Sequence, residues 1–219
     1  MTITEHIALR RVLPAAVIET PEHAVPLARA LLAGGLDIME ITLRNAHAAE
    51  CVRRIRETVP EMRVGMGTLL SAAQIDLARD AGAMFGVSPG FNPATVRHAV
   101  AQGFPFVPGV MTPGEMEQSV ELGCPLVKLF PAGAAGGPAF IKSIAAPYAH
   151  TPLRLIPFGG VNAENMSSYL ALPLVAAVGG SWLTERELAA AGNWAEITTR
   201  TRRAMQFAVR VSTDSFGAV

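Results

Sequence analysis

The stretch Pro125-Leu126-Val127-Lys128-Leu129-Phe130-Pro131 decides how the chain is interpreted. A short apolar run bounded by two prolines predicts a buried strand, and Lys128 lies in its middle. Burial disfavours the charged form of a lysine, so we expect Lys128 to hold more free amine than an exposed lysine does. A free amine in an apolar site can form a Schiff base with a carbonyl compound.

The use of lysine elsewhere in the chain supports a special role for Lys128. Only two of the 18 lysine and arginine residues are lysines, Lys128 and Lys142. A guanidinium cannot replace an amine in imine formation, so a lysine in the most apolar strand favours catalysis. The alternative is a lysine at a sheet edge or barrel mouth whose stem packs and whose tip reaches water. This stretch alone does not decide between the two.

On both sides of this predicted strand along the chain, short apolar runs alternate with helical segments at intervals of about 20–25 residues. That alternation requires parallel strands joined by crossover helices. Eight such units predict a compact (β/α)8 TIM barrel, an α/β fold, as a single domain over residues 1–219. We expect a short N-terminal helix before it and a closing C-terminal helix from 193 to about 212. The predicted strands are 12–18, 37–43, 63–67, 84–87, 104–107, 125–131, 153–157 and 174–178.

The alternative fold is an open, doubly wound parallel sheet. Such a sheet more often has a glycine-rich loop after its first strand. Here the first strand is followed by Glu19-Thr20-Pro21, and no phosphate-loop motif occurs. The barrel is therefore favoured.

Composition excludes several classes of partner. Half of the 219 residues are hydrophobic, 16% are charged and the formal net charge is zero, which argues against nucleic acid or an anionic membrane. No apolar run is long enough to span a bilayer, and no secretory signal is evident. Two distant cysteines suggest a reduced, cytoplasmic protein. The five histidines lack metal-ligand spacing, so we expect no metal.

The second predicted strand carries a buried carboxylate. Period-two alternation puts Glu40 and Thr42 on one face, opposite Met39 and Ile41, so Glu40 is expected to point into the barrel. There it could transfer protons, or it could be a structural ion-pair partner. Arg44 at the end of the strand suits bidentate binding of a substrate carboxylate, although a surface arginine is equally compatible with this position.

Glycine-containing turns follow several predicted strands. Two glycines precede Thr68, whose hydroxyl can donate to an anion. Gly159-Gly160 and Gly179-Gly180 follow the last two strands, where many barrels bind phosphate through backbone N–H groups. The alternative is that both are simple strand-to-helix turns.

Several motifs together resemble one known family. They are Glu22-His23-Ala24-Val25-Pro26, Met39-Glu40-Ile41-Thr42-Leu43-Arg44, Gly65-Met66-Gly67-Thr68, Ser88-Pro89-Gly90, Val127-Lys128-Leu129-Phe130-Pro131-Ala132 and Gly179-Gly180-Ser181-Trp182-Leu183. From about residue 12 to residue 182 the chain resembles the bacterial 2-keto-3-deoxy-6-phosphogluconate (KDPG) aldolase / 4-hydroxy-2-oxoglutarate aldolase family.

This resemblance implies a class I lyase on a homotrimeric (β/α)8 barrel that uses no cofactor. Its substrates are small 2-keto acids and aldehydes, and KDPG is cleaved reversibly to pyruvate and glyceraldehyde 3-phosphate. Lys128 would form the Schiff base with the 2-keto carbon, and Glu40 would be the general acid/base.

The resemblance also implies which residues bind substrate. Arg44 and Thr68 would hold the pyruvate carboxylate. The phosphate would be bound by the backbone around Gly159, Gly160, Gly180 and Ser181. The other residues expected to bind substrate are Pro89, Phe130 and Phe158.

Two positions depart from the family pattern. Phe158 replaces a common threonine, and Gly133 replaces a common glutamate. The first change removes a hydroxyl beside the substrate. The alternative substrates are therefore 4-hydroxy-2-oxoglutarate and the galactonate epimer of KDPG.

Two other functional classes can be built on the same barrel. A metal-dependent sugar-phosphate epimerase would need a His/Asp cluster at the strand ends, and none is visible in the sequence. A non-catalytic sugar-phosphate-binding protein would not need both Lys128 and Glu40.

Overall fold

The computed structural model describes the backbone of residues 1–216 and the side chains of residues 1–208. Every strand pair among these residues is parallel, as the alternation predicted. The strands are β1 (Val12–Ala16), β2 (Ile38–Thr42), β3 (Arg63–Gly67), β4 (Gly86–Val87), β5 (Phe106–Val107), β6 (Gly109–Val110), β7 (Leu126–Leu129), β8 (Arg154–Pro157) and β9 (Val178–Gly180).

The helices lie between the strands and at both ends of the chain. They are α1 (Ile3–Arg10), α2 (Ala24–Ala33), α3 (Ala48–Thr58), α4 (Ala72–Asp80), α5 (Pro93–Ala101), α6 (Pro113–Glu121), α7 (Gly137–Tyr148), α8 (Met166–Leu170), α9 (Arg186–Ala190) and α10 (Trp194–Phe216). Both the N-terminal helix and the closing helix were predicted. The last three residues of the predicted domain 1–219 lie outside the described residues.

The strands form a six-stranded sheet in the order β5-β4-β3-β2-β1-β9 and a three-stranded sheet in the order β6-β7-β8. The predicted fifth strand, 104–107, is shorter than expected, and the chain pairs again after Pro108. Proline has no amide N–H to donate to a ladder. The pairing partner therefore changes at Pro108, from β4 before it to β7 after it.

The predicted eighth strand is displaced along the chain. Only Val175 of the stretch 174–178 forms a bridge, with Leu155, before β9 begins at Val178. The glycine pair predicted as a turn therefore lies within β9, where Gly179 and Gly180 pair with Leu13 and Pro14. Glycine disfavours strands locally, so a contact with β1 that is distant in sequence decides this segment.

The alternation predicted for β2 is confirmed. Met39 and Ile41 are fully buried in one apolar cluster with side chains of α2 and α3. Glu40 lies on the opposite face, in register with Ala15 of β1 and Gly65 of β3. The helices on one side of the sheet thus take the apolar side chains and leave the other side for Glu40.

None of the helices in the described part of the chain is both long enough and apolar enough to cross a membrane.

A charged cluster ties α1 to the amino ends of β2 and β3. Asp37 Oδ1 lies 2.8 Å from His6 Nε2 and accepts a hydrogen bond of 2.7 Å from Arg10 Nε. The other carboxylate oxygen, Asp37 Oδ2, accepts a hydrogen bond of 2.7 Å from Arg63 Nη1. Burial acts to raise the pKa of Asp37, but the hydrogen bonds from Arg10 and His6 and their charges outweigh it and hold the pKa below its ordinary value.

We expect Asp37→Asn to lower the free energy of unfolding at pH 7 by about 1–3 kcal/mol, because it weakens charge-assisted hydrogen bonds at a largely buried site. The pKa of Asp37 is lower in the folded protein than in the unfolded chain. Its stabilisation is therefore complete above the unfolded value of about 3.9 and is lost as the pH falls through the folded value. Urea unfolding at several pH values measures both effects.

Asp80→Asn is the matched control, because Asp80 is 70% exposed and pairs with Arg79 at 3.3 Å. We expect it to change stability by less than about 0.5 kcal/mol. Equal losses of unfolding free energy in the two variants would contradict a stabilising role for the Asp37 charge. So would a loss for Asp37→Asn that persists at low pH.

Candidate active site

Lys128 lies in the middle of β7, whose four residues are all buried. Gly109 of β6 and Ile156 of β8 are its partners in register. The residue is only 7% exposed, and its Nζ lies 3.6 Å from Glu40 Oε1. The two ionisable groups singled out from the sequence are thus brought together although they are far apart along the chain.

Glu40 is fully buried in β2. Among the described residues neither of its carboxylate oxygens has a hydrogen-bond partner. Gly67 makes room for the carboxylate, because a Cβ at that position would overlap it. A buried carboxylate without hydrogen-bond donors is costly, and the Lys128 amine is the ionisable group beside it. A carboxylate that no hydrogen bond holds can exchange a proton with a reacting molecule.

Two aromatic rings complete the surroundings of the Lys128 amine. Its Nζ lies 4.0 Å from the centre of the Phe158 ring and 5.6 Å from that of Phe130. Phe158 packs directly against β9, since a Cβ at Gly179 would overlap the ring. The ring face attracts a cation while the ring body excludes water.

A cavity of about 160 Å³ lies over the side chains of Lys128 and Glu40. Its lining contains nine of the predicted site residues and four further residues. The predicted ones are Glu40, Arg44, Lys128, Phe130, Phe158, Gly159, Gly160, Gly180 and Ser181; the others are Ala15, Val17, Thr42 and Val161.

Sequence reasoning named Thr42 on the face of Glu40 but did not assign it to the site. Its Oγ1 donates to the carbonyl of Ala16 at 3.1 Å, which ties β2 to β1 beside the cavity. The same alternation applied to β1 would have selected Ala15 and Val17. Small apolar side chains carry no chemical signal of their own, so they were missed.

Thr68 and Pro89, also predicted to bind substrate, do not line this cavity. Thr68 follows β3, is half-buried and has φ 62°, in the left-handed region that a β-branched residue rarely adopts. Pro89 follows β4 in a turn that Ser88 fixes. Ser88 Oγ donates to the Gly90 carbonyl at 2.8 Å and accepts from Gly109 N at 3.1 Å.

The turn after β8 requires glycine, because Gly159 and Gly160 have φ 84° and 82°. The loop after β7 packs against it, with Gly133 N donating to the Gly159 carbonyl at 2.8 Å. A Cβ at Gly133 would lie 3.1 Å from that carbonyl oxygen, so the small residue at this departure from the family pattern fits a close approach of two backbones.

A second, outer cavity of about 540 Å³ shares Val17, Arg44 and Ser181 with the inner one. Arg44 is exposed and therefore lies where the inner cavity meets the outer one. A guanidinium in this position can contact an anionic group of a molecule that reaches Lys128.

Other reactive groups lie elsewhere. Cys51 and Cys124 are free and buried, and burial raises the pKa of each thiol to about 11, which keeps both protonated and unreactive. Within the described residues, no group of three or more His, Cys, Asp or Glu side chains is arranged to hold a metal ion.

Comparison with known proteins gives a consistent result. A family model described as "Aldolase: KDPG and KHG aldolase" matches residues 3–200. A 2-dehydro-3-deoxy-phosphogluconate aldolase of Treponema pallidum is 41% identical over 206 residues, which cover 94% of this chain and 97% of the relative.

Solved structures agree. The 2-keto-3-deoxy-6-phosphogluconate aldolase of Zymomonas mobilis, solved with 3-phosphoglycerate, is 37% identical, with a TM-score of 0.87 over 94% of this chain and 95% of that one. KDPG aldolase of Legionella pneumophila, with pyruvate captured as a covalent carbinolamine intermediate, is 36% identical. Its TM-score is 0.84 over 90% of this chain and 94% of that one. With the sequence match and the fold in agreement over nearly its whole length, this chain belongs to the KDPG and KHG aldolase family.

Proposed function

We propose that the protein is a class I aldolase that cleaves KDPG reversibly to pyruvate and glyceraldehyde 3-phosphate. The observation that carries the proposal is the buried pair of Lys128 Nζ and Glu40 Oε1, 3.6 Å apart in one cavity. The names of the relatives in Treponema and Zymomonas support the choice of substrate.

The first step is attack of the Lys128 amine on the 2-keto carbon. The carbonyl oxygen takes up a proton, giving a carbinolamine, which loses water to form the imine. The Lys128 amine lines the same cavity as Glu40, so a 2-keto acid bound there can reach it. A covalent carbinolamine of pyruvate in the Legionella relative supports the same route here.

In the second step the protonated imine withdraws the electron pair of the C3–C4 bond. The C4 hydroxyl loses its proton as that bond breaks, and the aldehyde leaves. The resulting enamine takes up a proton at C3, and water then releases pyruvate and restores the amine. Glu40 is the general acid/base, because its carboxylate has no hydrogen-bond partner among the described residues and lies beside the Lys128 amine.

The substrate carboxylate is assigned to Arg44 and Thr68. Arg44 lines the cavity and offers a planar pair of donors to a carboxylate. Thr68 rests on the family resemblance, and its left-handed backbone supports the assignment indirectly. A strained conformation of this kind costs about 1–3 kcal/mol and is concentrated at functional sites.

The phosphate is assigned to the backbone of Gly159 and Gly160 after β8 and of Gly180 and Ser181 at the end of β9. All four line the cavity that contains Lys128, so one molecule can reach both the amine and these N–H groups. 4-Hydroxy-2-oxoglutarate and the galactonate epimer of KDPG remain alternative substrates, because Phe158 brings a ring where the family has a hydroxyl.

The site is proposed to lie at the mouth of a closed (β/α)8 barrel formed by one domain over residues 1–219. The bridge between Leu155 and Val175 joins β8 to the segment that leads into β9, which supports closure on one side. On the other side, β5 and β6 are separated by Pro108 alone. The homotrimer implied by the family resemblance and the cytoplasmic location expected from the cysteines stay predictions.

We expect pyruvate with borohydride to leave a stable carboxyethyl group on Lys128, found by mass spectrometry. Lys128→Arg and Lys128→Met should lose both the adduct and measurable turnover, because neither side chain can form an imine. Lys142→Arg is the matched control, since it changes the only other lysine, on α7. An adduct on Lys142, or on neither lysine, would rule out the mechanism.

We expect Glu40→Gln to reduce kcat by about 10²–10⁴, because an amide keeps the shape but cannot transfer a proton. Pyruvate should still be trapped on Lys128, though more slowly. Glu50→Gln, which changes an exposed glutamate paired with Arg54 on α3, should behave as wild type. Near-normal turnover of Glu40→Gln would make Glu40 a structural partner of Lys128 only.

Phe158→Thr should change the ratio of kcat/KM values for two substrates that are epimers at C4, in favour of KDPG. The added hydroxyl can pair with a substrate hydroxyl in a dry site, where such pairing discriminates strongly. Phe158→Val is the control for shape, because valine matches threonine in size but lacks the hydroxyl. The same ratio in both variants would show that residue 158 does not contact the discriminating hydroxyl.

A further inference from the structure

The loop that follows β9 is held from outside by one side chain of the closing helix. Arg200 on α10 donates from Nη1 to the carbonyl of Trp182 at 3.1 Å. The same Nη1 lies 2.8 Å from Glu185 Oε2, at the other end of the loop. Arg200 therefore contacts both the backbone and a side chain of the segment 182–185.

The orientation of this guanidinium is fixed on its own helix. Arg200 Nε donates to Glu196 Oε1 at 2.8 Å, one turn earlier along α10. With Nε bound to Glu196, the Nη1 group remains directed at the loop. A planar guanidinium can make these contacts together, whereas a lysine ammonium lacks the fixed fork.

The contacted loop is joined directly to the backbone assigned to the phosphate. The Trp182 indole packs against the Cα of Gly180, where a Cβ would lie 2.8 Å from the ring. On the barrel side, Thr184 Oγ1 donates to the carbonyl of Ala15 at 2.9 Å, and Thr184 N donates to Ser181 O at 2.9 Å. Arg200 supplies the opposing contact from the outside.

We propose that Arg200 is a positioning residue that sets the Gly180–Ser181 backbone for binding the phosphate of the substrate. Arg200 itself lines a different cavity, of about 530 Å³, together with Trp182 and Glu185, and it does not line the cavity over Lys128. It therefore acts through the loop and not by contact with substrate. This inference rests on the phosphate assignment in the proposed function.

The contacts of Arg200 can hold the loop 182–185 in one conformation, but they add little to the overall stability of the protein. The side chains of Arg200, Glu185 and Glu196 are 31%, 45% and 40% exposed, and exposed ion pairs of this kind contribute little to folding. Backbone donors, in contrast, bind an anion well only when they are held in place beforehand. Loss of Arg200 should therefore appear in binding of the phosphorylated end of the substrate and not in unfolding.

The test compares Arg200→Met with Arg202→Met in the full chain. Arg202 lies on the same helix, but its contact, at 3.4 Å, is to the carbonyl of Ala33 at the end of α2. Calorimetry with 3-phosphoglycerate as probe measures phosphate binding without turnover. Steady-state kinetics with KDPG and with unphosphorylated 4-hydroxy-2-oxoglutarate separate KM from kcat, and borohydride trapping of pyruvate reports on Lys128.

We expect Arg200→Met to raise the Kd of 3-phosphoglycerate and the KM for KDPG about tenfold, with kcat changed less than about twofold. Kinetics with 4-hydroxy-2-oxoglutarate, pyruvate trapping and Tm should match wild type, as all measurements should for Arg202→Met. Arg200→Lys, which keeps the charge without the fork, should lie between Arg200→Met and wild type; it also serves as the test variant if Arg200→Met does not fold.

Unchanged binding of 3-phosphoglycerate in both Arg200 variants would overturn the inference. Equal losses for phosphorylated and unphosphorylated substrates would overturn it too, because they would indicate a general structural role. If wild type does not bind 3-phosphoglycerate but traps pyruvate, the inference fails and the aldolase assignment stands. If wild type traps no pyruvate while Arg200→Met still weakens binding of 3-phosphoglycerate, the aldolase assignment fails and the positioning role stands.

Discussion

The burial of two ionisable side chains, Lys128 and Glu40, next to each other is the constraint on which the rest of the site depends. Removing two charged groups from water costs several kcal/mol per ion, and their attraction repays this only with good geometry and further hydrogen bonds. Here Nζ and Oε1 are 3.6 Å apart, and the carboxylate has no hydrogen-bond partner among the described residues. Apolar residues of similar size would stabilise such a position better. Stability therefore does not account for the pair, whereas the chemistry proposed for it does.

Glycines in β3 and β9 make room for two side chains around Lys128, those of Glu40 and Phe158. A Cβ at Gly67 would overlap the Glu40 carboxylate, and one at Gly179 would overlap the Phe158 ring. Glycine inside a strand weakens it, since it has no side chain to pack and loses more entropy on folding. Around Lys128, therefore, the side chains of Glu40 and Phe158 fill the space that glycines of β3 and β9 leave empty.

The sequence alone was enough to predict the structure of segments that a local pattern decides. Alternation along β2 predicted which face carries Glu40, and two flanking prolines predicted the strand around Lys128. It was not enough for segments whose structure depends on contacts with residues distant in the sequence. The apolar run 174–178 looked like a strand, but pairing with Leu13 and Pro14 of β1 moves β9 onto the glycines. The contact between Arg200 and the Trp182 carbonyl joins a helix to a loop 18 residues away, and no local pattern indicates it.

Asp37, just before β2, and Glu40, in its middle, show how stability and the proposed chemistry can be assigned to different residues of one segment. Asp37 precedes the strand and contacts three donors, from His6, Arg10 and Arg63, so its charge is fixed and its pKa is lowered. Glu40, three residues further along, has its amine neighbour and no hydrogen bond among the described residues. Three contacts hold the Asp37 carboxylate in its charged form, whereas no hydrogen bond among the described residues fixes the Glu40 carboxylate. The residue before β2 therefore stabilises the fold, and the middle of the strand carries the carboxylate to which proton transfer is assigned in the proposed mechanism.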